Sequence, residues 1–118
     1  MNTNLADQLS ERYPLIFPDR DGRRNILGNI DGWFDLIDDL CAALQSAADN
    51  GSPQPVATQV KVKFGELRFY AQGVDRYQAS LIARAETASG RLCWVCGHSV
   101  GESDQPGRCV EHAKPDAP

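Results

Sequence analysis

Three of the four cysteines and both histidines fall within residues 93–112, which read C-W-V-C-G-H-S-V-G-E-S-D-Q-P-G-R-C-V-E-H. Cys93, Cys96, Cys109 and His112 are spaced C-x2-C, twelve residues, C-x2-H. Thiolate sulfur and imidazole nitrogen are the donors that tetrahedral Zn2+ prefers. A two-residue gap lets two thiolates converge on one ion from a tight turn. Gly97, directly after the second cysteine, lets the backbone fold under the metal. The second pair, three positions apart, fits one helical turn. His98 competes with His112 for the fourth position, but it sits where such a knuckle turns away. Four protein ligands leave no open coordination site, so the expected zinc is structural rather than catalytic. A disulfide with a spare thiol is the competing reading, and a reducing compartment opposes it. A thioredoxin-like redox pair at Cys93 and Cys96 would have to open a helix after a strand, whereas here the pair follows a helical segment.

The remaining polar groups carry weaker signals. Asp31, Asp35, Asp38 and Asp39 cluster around one helix, off its apolar stripe. They form a candidate partner-binding surface, with a plain solvated helix face as the alternative. Further oxygen ligands, which a hard cation would need, do not accompany them. Cys41 lies on the apolar stripe and reads as a small buried hydrophobe. No HExxH, phosphate loop, dinucleotide fingerprint or G-x-S-x-G occurs. The H-x-E and P-C-x-x-C pair of zinc deaminases is also missing. A non-enzymatic protein is therefore expected.

The elements that must position these residues follow from periodicity. Residues 4–13 carry Leu5, Leu9 and Tyr13 one turn apart, with Asn4 as a possible cap and Pro14 as a stop. LIFP forms a small apolar patch, and DRDGRRN a polar loop. Residues 32–48 place Trp33, Phe34, Ile37, Leu40, Cys41 and Leu44 on one stripe, with Asp31 where an N-cap belongs. Asn50-Gly51, followed by Pro53 and Pro55, ends this helix. Residues 56–71 change to period two. A Gly65-Glu66 turn of type II′ would set Phe64 opposite Leu67 and gather Val60, Val62, Phe64, Leu67, Phe69 and Ala71 on one face. Lys61, Lys63, Arg68 and Tyr70 would then line the other. Residues 74–90 return to helical spacing, with Tyr77, Leu81, Ala85 and Ala88 on one face, Ile82 beside them and Gly90 as a stop. The expected architecture is one α+β domain over 1–118. Its helices pack on a two-stranded or slightly larger antiparallel sheet. A zinc knuckle or treble-clef-like module occupies 91–113.

Composition narrows the functional classes. The chain has 118 residues, 42% hydrophobic and 24% charged, which is ordinary for a globular protein. No apolar run approaches the ~20 residues needed to span a bilayer, and the N-terminus lacks a secretory pattern, so a cytoplasmic protein is expected. Net charge is −4. Residues 1–55 hold four basic and nine acidic side chains, and residues 56–118 hold eight and seven. A sequence-independent nucleic-acid binder usually has a basic surface overall, and this chain does not.

The motifs E-R-Y-P, G-W-F-D-L-I-D-D-L-C, V-K-x-K-F-G-E-L-R-F-Y and C-x-x-C-G resemble, as a set, a group of small phage and prophage proteins. The resemblance spans residues 11–97 and implies a bacterial setting and a C-terminal zinc finger. It carries over no active-site residue, since most of the group is uncharacterised. Small acidic phage products of this kind often bind a host protein, and some inhibit CRISPR effectors by covering a basic nucleic-acid groove. The leading expectation is such a binder, acting as an inhibitor of host antiviral defence through the acidic helix face. The alternative is a nucleic-acid-binding zinc-finger regulator using Lys61, Lys63, Arg68 and Tyr70, with Arg91, Trp94 and Arg108 adding to the strip. Glu102, Asp104 and Glu111 in the zinc loop oppose phosphate contact, so direct nucleic-acid binding is the lesser expectation.

Overall fold

A computed structural model describes residues 3–18, 27–28, 30–101, 107–109 and 112. The elements are α1 (Thr3–Arg12), a 3-10 turn (Asp31–Trp33), α2 (Phe34–Asp49), β1 (Val56–Lys63), β2 (Glu66–Gln72) and α3 (Arg76–Ser89). The fold is α+β, with three helices on a two-stranded antiparallel sheet. An isolated parallel bridge from Leu27 to Val60 extends the β1 edge. No helix among the described residues is long and apolar enough to cross a membrane. The DRDGRRN segment and the chain beyond His112 lie outside the described residues.

α1 begins at Thr3, so Asn4 lies inside it rather than capping it. Ala6 and Leu9 are buried, and after Pro14 the chain turns Ile16 and Phe17 into the core. The Ala57 N–H donates to the Ile16 carbonyl at 2.9 Å, tying this turn to β1. The Tyr13 hydroxyl reaches α2, donating to Asp38 Oδ1 at 2.8 Å and to the Asp38 carbonyl at 3.0 Å. Arg12 pairs with the same carboxylate at 2.9 Å. Burial, reinforced by the Asp38 contact, pushes the Tyr13 phenol from 10.0 up to about 12. A raised folded-state value stabilises the fold fully below the ordinary value and loses that contribution as pH climbs through the higher one. The Tyr13 contribution therefore disappears between pH 10 and about pH 12. Tyr13→Phe should cost about 1 kcal/mol at neutral pH and remove this alkaline step, as read by urea unfolding at both pH values. An unchanged midpoint would mean that the Tyr13 hydroxyl does not help hold α1 to α2.

α2 follows the expected stripe, with Trp33, Ile37, Leu40, Cys41 and Leu44 buried. Its start differs. Asp31 opens the 3-10 turn, and the α-helical N-cap position falls to Trp33, with no side-chain cap bond. Asp31 is thus not the cap, because the chain is drawn in tightly at Gly32 and Trp33.

The hairpin also departs from expectation by one residue. Lys63 pairs with Glu66, Val62 with Leu67 and Val60 with Phe69. The turn residues are Phe64 and Gly65, both with positive φ (54° and 79°), as a type I′ turn requires. Phe64 does not face Leu67. Moving the turn by one residue changes the pairing by two, so every other side chain keeps its face. Val60, Leu67 and Phe69 remain buried, while Phe64 is 83% exposed.

α3 opens with a reciprocal capping box. The Asp75 side chain accepts from the Gln78 N–H, and the Gln78 side chain accepts from the Asp75 N–H. The Gln78 N–H, the Ser52 side chain and the Tyr77 N–H hold the Asp75 carboxyl below its usual range, against a small desolvation penalty. The buried face is Gln78, Ile82, Ala85 and Ser89: Ala85 and Ile82 lie inward as expected, Leu81 and Ala88 are half-buried, and Gln78 and Ser89 are buried where apolar residues were expected. Tyr77 is exposed. The helix is rotated because its two buried polar residues are satisfied. Gln78 donates to the Pro53 carbonyl at 2.7 Å, and the Ser89 hydroxyl accepts from the Leu67 N–H at 2.8 Å.

Candidate metal centre

Arg91–Gly101 fold into a short loop-back held by the backbone. The Cys93 N–H donates to the His98 carbonyl at 2.8 Å, the Gly97 N–H to the Cys93 carbonyl at 2.8 Å, and the Val100 N–H to the Arg91 carbonyl at 2.8 Å. An antiparallel bridge joins Leu92 to Ser99. Gly97 takes φ +82°, the left-handed conformation that its place after Cys96 demands. The second pair comes from a single turn, in which the His112 N–H donates to the Cys109 carbonyl at 3.0 Å.

These two turns bring one donor atom each from Cys93, Cys96, Cys109 and His112 within 4.8 Å of one another. Cys96 Sγ lies 3.6 Å from Cys109 Sγ, and His112 Nδ1 lies 3.5 Å from Cys93 Sγ and 3.1 Å from Cys109 Sγ. A tetrahedral ion bonded to sulfur at about 2.3 Å and to nitrogen at about 2.0–2.1 Å has ligand–ligand edges of roughly 3.5–3.8 Å. The cluster is thus close to the size such an ion needs, and the four residues can hold a metal ion. His98 approaches Cys96 Sγ at 3.3 Å but does not join the mutually close set, which takes His112.

Electrostatics favour a cation there. Burial resists ionisation of the Cys93 thiol. Hydrogen bonds from the backbone N–H groups of Cys109, Cys96 and Val95, together with the Cys96 side chain, outweigh it and bring the group from 9.0 down to about 6. At Cys96 the His98 N–H favours the thiolate. Desolvation, the contacts with Cys109 and Cys93 and the Cys93 charge prevail and push it up. Cys93 and Cys96 are thus shifted in opposite directions, and a divalent cation would relieve that conflict by accepting both as thiolates.

The metal turns are locked to the core by contacts that local spacing does not show. The Gly32 N–H donates to the Trp94 carbonyl at 2.7 Å, and Trp33 Nε1 donates to the Leu92 carbonyl at 2.8 Å. The Trp33 and Trp94 rings lie 6.1 Å apart and tilted by 60°. A Cβ on Gly32 would run into the Cys93 carbonyl and the Cys96 and Gly97 nitrogens. Gly107 donates to the Gly90 carbonyl at 2.9 Å and packs against the Gly65 carbonyl at the hairpin turn. The Arg108 guanidinium stacks over Trp94 at 4.5 Å and donates to the His112 carbonyl at 2.8 Å. A glycine directly before the buried Trp33, at the start of the strongest helix, was the available signal for Gly32. Its partners lie some sixty residues away and left none.

The four aspartates are treated unequally. Asp38 is engaged by Arg12 and Tyr13, while Asp35 and Asp39 are exposed one turn apart on α2. Asp31 is half-buried beside Gly32. Cys41 is fully buried, and burial pushes its thiol up, so it behaves as a core residue. Glu102, Asp104 and Glu111 lie outside the described residues. Comparison with protein-family models, curated proteins and solved structures returned no match.

Proposed function

We propose that the protein is a non-enzymatic, zinc-stapled binding protein of phage or prophage origin. In this reading it engages a bacterial protein and inhibits host antiviral defence, in the manner of an anti-CRISPR protein. The observation that carries the structural half is the donor set: three sulfurs and one nitrogen, all from the chain, within 4.8 Å of one another. Zinc suits this soft and borderline set better than magnesium or calcium, which take oxygen ligands. Bound there, zinc supplies a cross-link and no open site for a substrate. Cys93, Cys96, Cys109 and His112 hold it, Gly32 and Trp33 receive the loop, and Arg108 braces Trp94.

Activity then belongs to the outer surface. Asp35 and Asp39 present two carboxylates one helical turn apart, which would mimic phosphate charge toward a cationic groove and speed encounter. Asp38, being paired, contributes less than its sequence position suggests.

Affinity capture from bacterial lysate with wild type and with Asp35→Lys/Asp39→Lys tests the surface. The double variant should lose the captured protein at least about tenfold while keeping its melting temperature and metal content. Equal capture by both would remove the α2 face from the reading. Expression in a host that restricts phage through CRISPR should restore plaque formation. Unrelieved restriction would sink the defence role while leaving the zinc site intact.

A further inference from the structure

The hairpin tip is built against its own stability. A type I′ turn needs positive φ at both central residues, and Asn-Gly or Gly-Gly satisfies it best. This chain places Phe64 there, at φ 54°. A bulky residue is strained in that region. Nothing is recovered by packing, because the ring is 83% exposed. Strain held by an exposed aromatic is a mark of use rather than of folding.

Its surroundings indicate what it would touch. Register places Lys61 opposite Arg68, and Lys63 opposite Glu66, on the sheet face turned away from buried Val60, Leu67 and Phe69. Tyr70, 43% exposed, shares that face. Residues 56–72 hold three basic side chains and one acidic, in a chain of net charge −4. The one acid, Glu66, lies 3.7 Å from Arg68 and leaves both lysines free of it. Lys61 Nζ sits 5.8 Å from the Tyr70 ring centre, and Lys63 Nζ sits 5.8 Å from that of Phe64. At this range, near the ~6 Å limit, the cation–π attraction is weak and is readily exchanged for a stronger anion contact.

We infer that the outer face of the β1–β2 hairpin binds single-stranded nucleic acid, with Phe64 and Tyr70 stacking unpaired bases and Lys61, Lys63 and Arg68 contacting the phosphates. Alternation of π-faces with fixed cations is the arrangement by which such strands are held without base-specific hydrogen bonds. A duplex offers no unstacked base to Phe64 or Tyr70, so it binds more weakly. The inference goes beyond the protein-partner reading and uses different residues.

Fluorescence anisotropy of a labelled oligothymidylate of about twelve nucleotides, titrated with the intact chain, tests it. Wild type should bind the single strand in preference to a duplex of equal length. Three phosphate contacts predict a slope of about −2 for log affinity against log salt. Phe64→Ala and Tyr70→Ala should each weaken binding about five- to a hundred-fold. Phe64→Asn separates folding from binding: it should raise the melting temperature by about 2–5 °C while losing the same affinity as Phe64→Ala. Absence of binding at low salt would overturn the inference, as would binding that ignores both aromatic substitutions or favours the duplex. A hairpin that captures a protein and no oligonucleotide would overturn it too.

Discussion

Cys93→Ser is expected to abolish stoichiometric metal retention and to cost about 5 kcal/mol or more, comparable to the whole stability of a small domain. The size of the effect follows from how little apolar burial supports the segment beyond its hydrogen bonds to Gly32, Trp33 and Gly90. Among the described residues beyond Leu92, only Cys93, Val100, Gly107 and Cys109 are buried. Trp94 is only partly buried where it packs against the main core. Without an ion, three sulfurs and an imidazole are left within 4.8 Å of one another with nothing to join them. Both tryptophans of the chain sit at the seam between the metal turns and the core, 6.1 Å apart. Their emission should shift to longer wavelength in the variant, and equally in wild type treated with a strong chelator. His98→Ala should keep its metal and its melting temperature, whereas His112→Ala should lose both. Elemental analysis with thermal unfolding reads all four results. An unchanged melting temperature in Cys93→Ser would eliminate the structural role of the site.

The metal ligands and the α2 stripe were legible for the same reason: both are written in local spacing. Cys93 and Cys96 on one turn and Cys109 and His112 on another need only two short loops to converge. Ile37, Leu40, Cys41 and Leu44 need only the helical period. What escaped was decided by contacts distant in sequence or by satisfied polar burial. Hydropathy placed Tyr77 on the inner face of α3 beside Leu81, which does pack on the core. Gln78 and Ser89 took that place because the Pro53 carbonyl and the Leu67 N–H were there to pair with them. The hairpin turn was centred one residue late because glycine is the safer residue for a positive φ, and a phenylalanine there contradicts local preference. That contradiction was readable only once the register was known. Among the aspartates, the sequence shows four like charges. It does not show that Arg12 and Tyr13 reach across from α1 to claim Asp38.

Gly32→Ala should be nearly as damaging as losing a ligand, although position 32 lies some sixty residues before Cys93. The added Cβ would fall on the Cys93 carbonyl, with the Cys96 nitrogen 2.8 Å away, and all three neighbours are backbone. Backbone inside a tight turn cannot swing aside as the end of a flexible side chain can. Either α2 retreats from the knuckle or the knuckle opens. Retreat would break the bond from the Gly32 N–H to the Trp94 carbonyl and the one from Trp33 Nε1 to the Leu92 carbonyl. Overpacking of this kind costs about 1–3 kcal/mol, and each lost buried hydrogen bond adds about 1 kcal/mol. The expected total is about 3–5 kcal/mol, with metal affinity lowered because the turn is no longer braced. Gly28→Ala is the matched control, since its Cβ would meet nothing closer than the Val60 carbonyl at 3.5 Å. A metal-replete Gly32→Ala protein melting with wild type would show that the knuckle and α2 fold without each other. In that case the tryptophans could not report on the metal, and the coupling between the ion and the rest of the core would have to run through Gly107 and the hairpin instead.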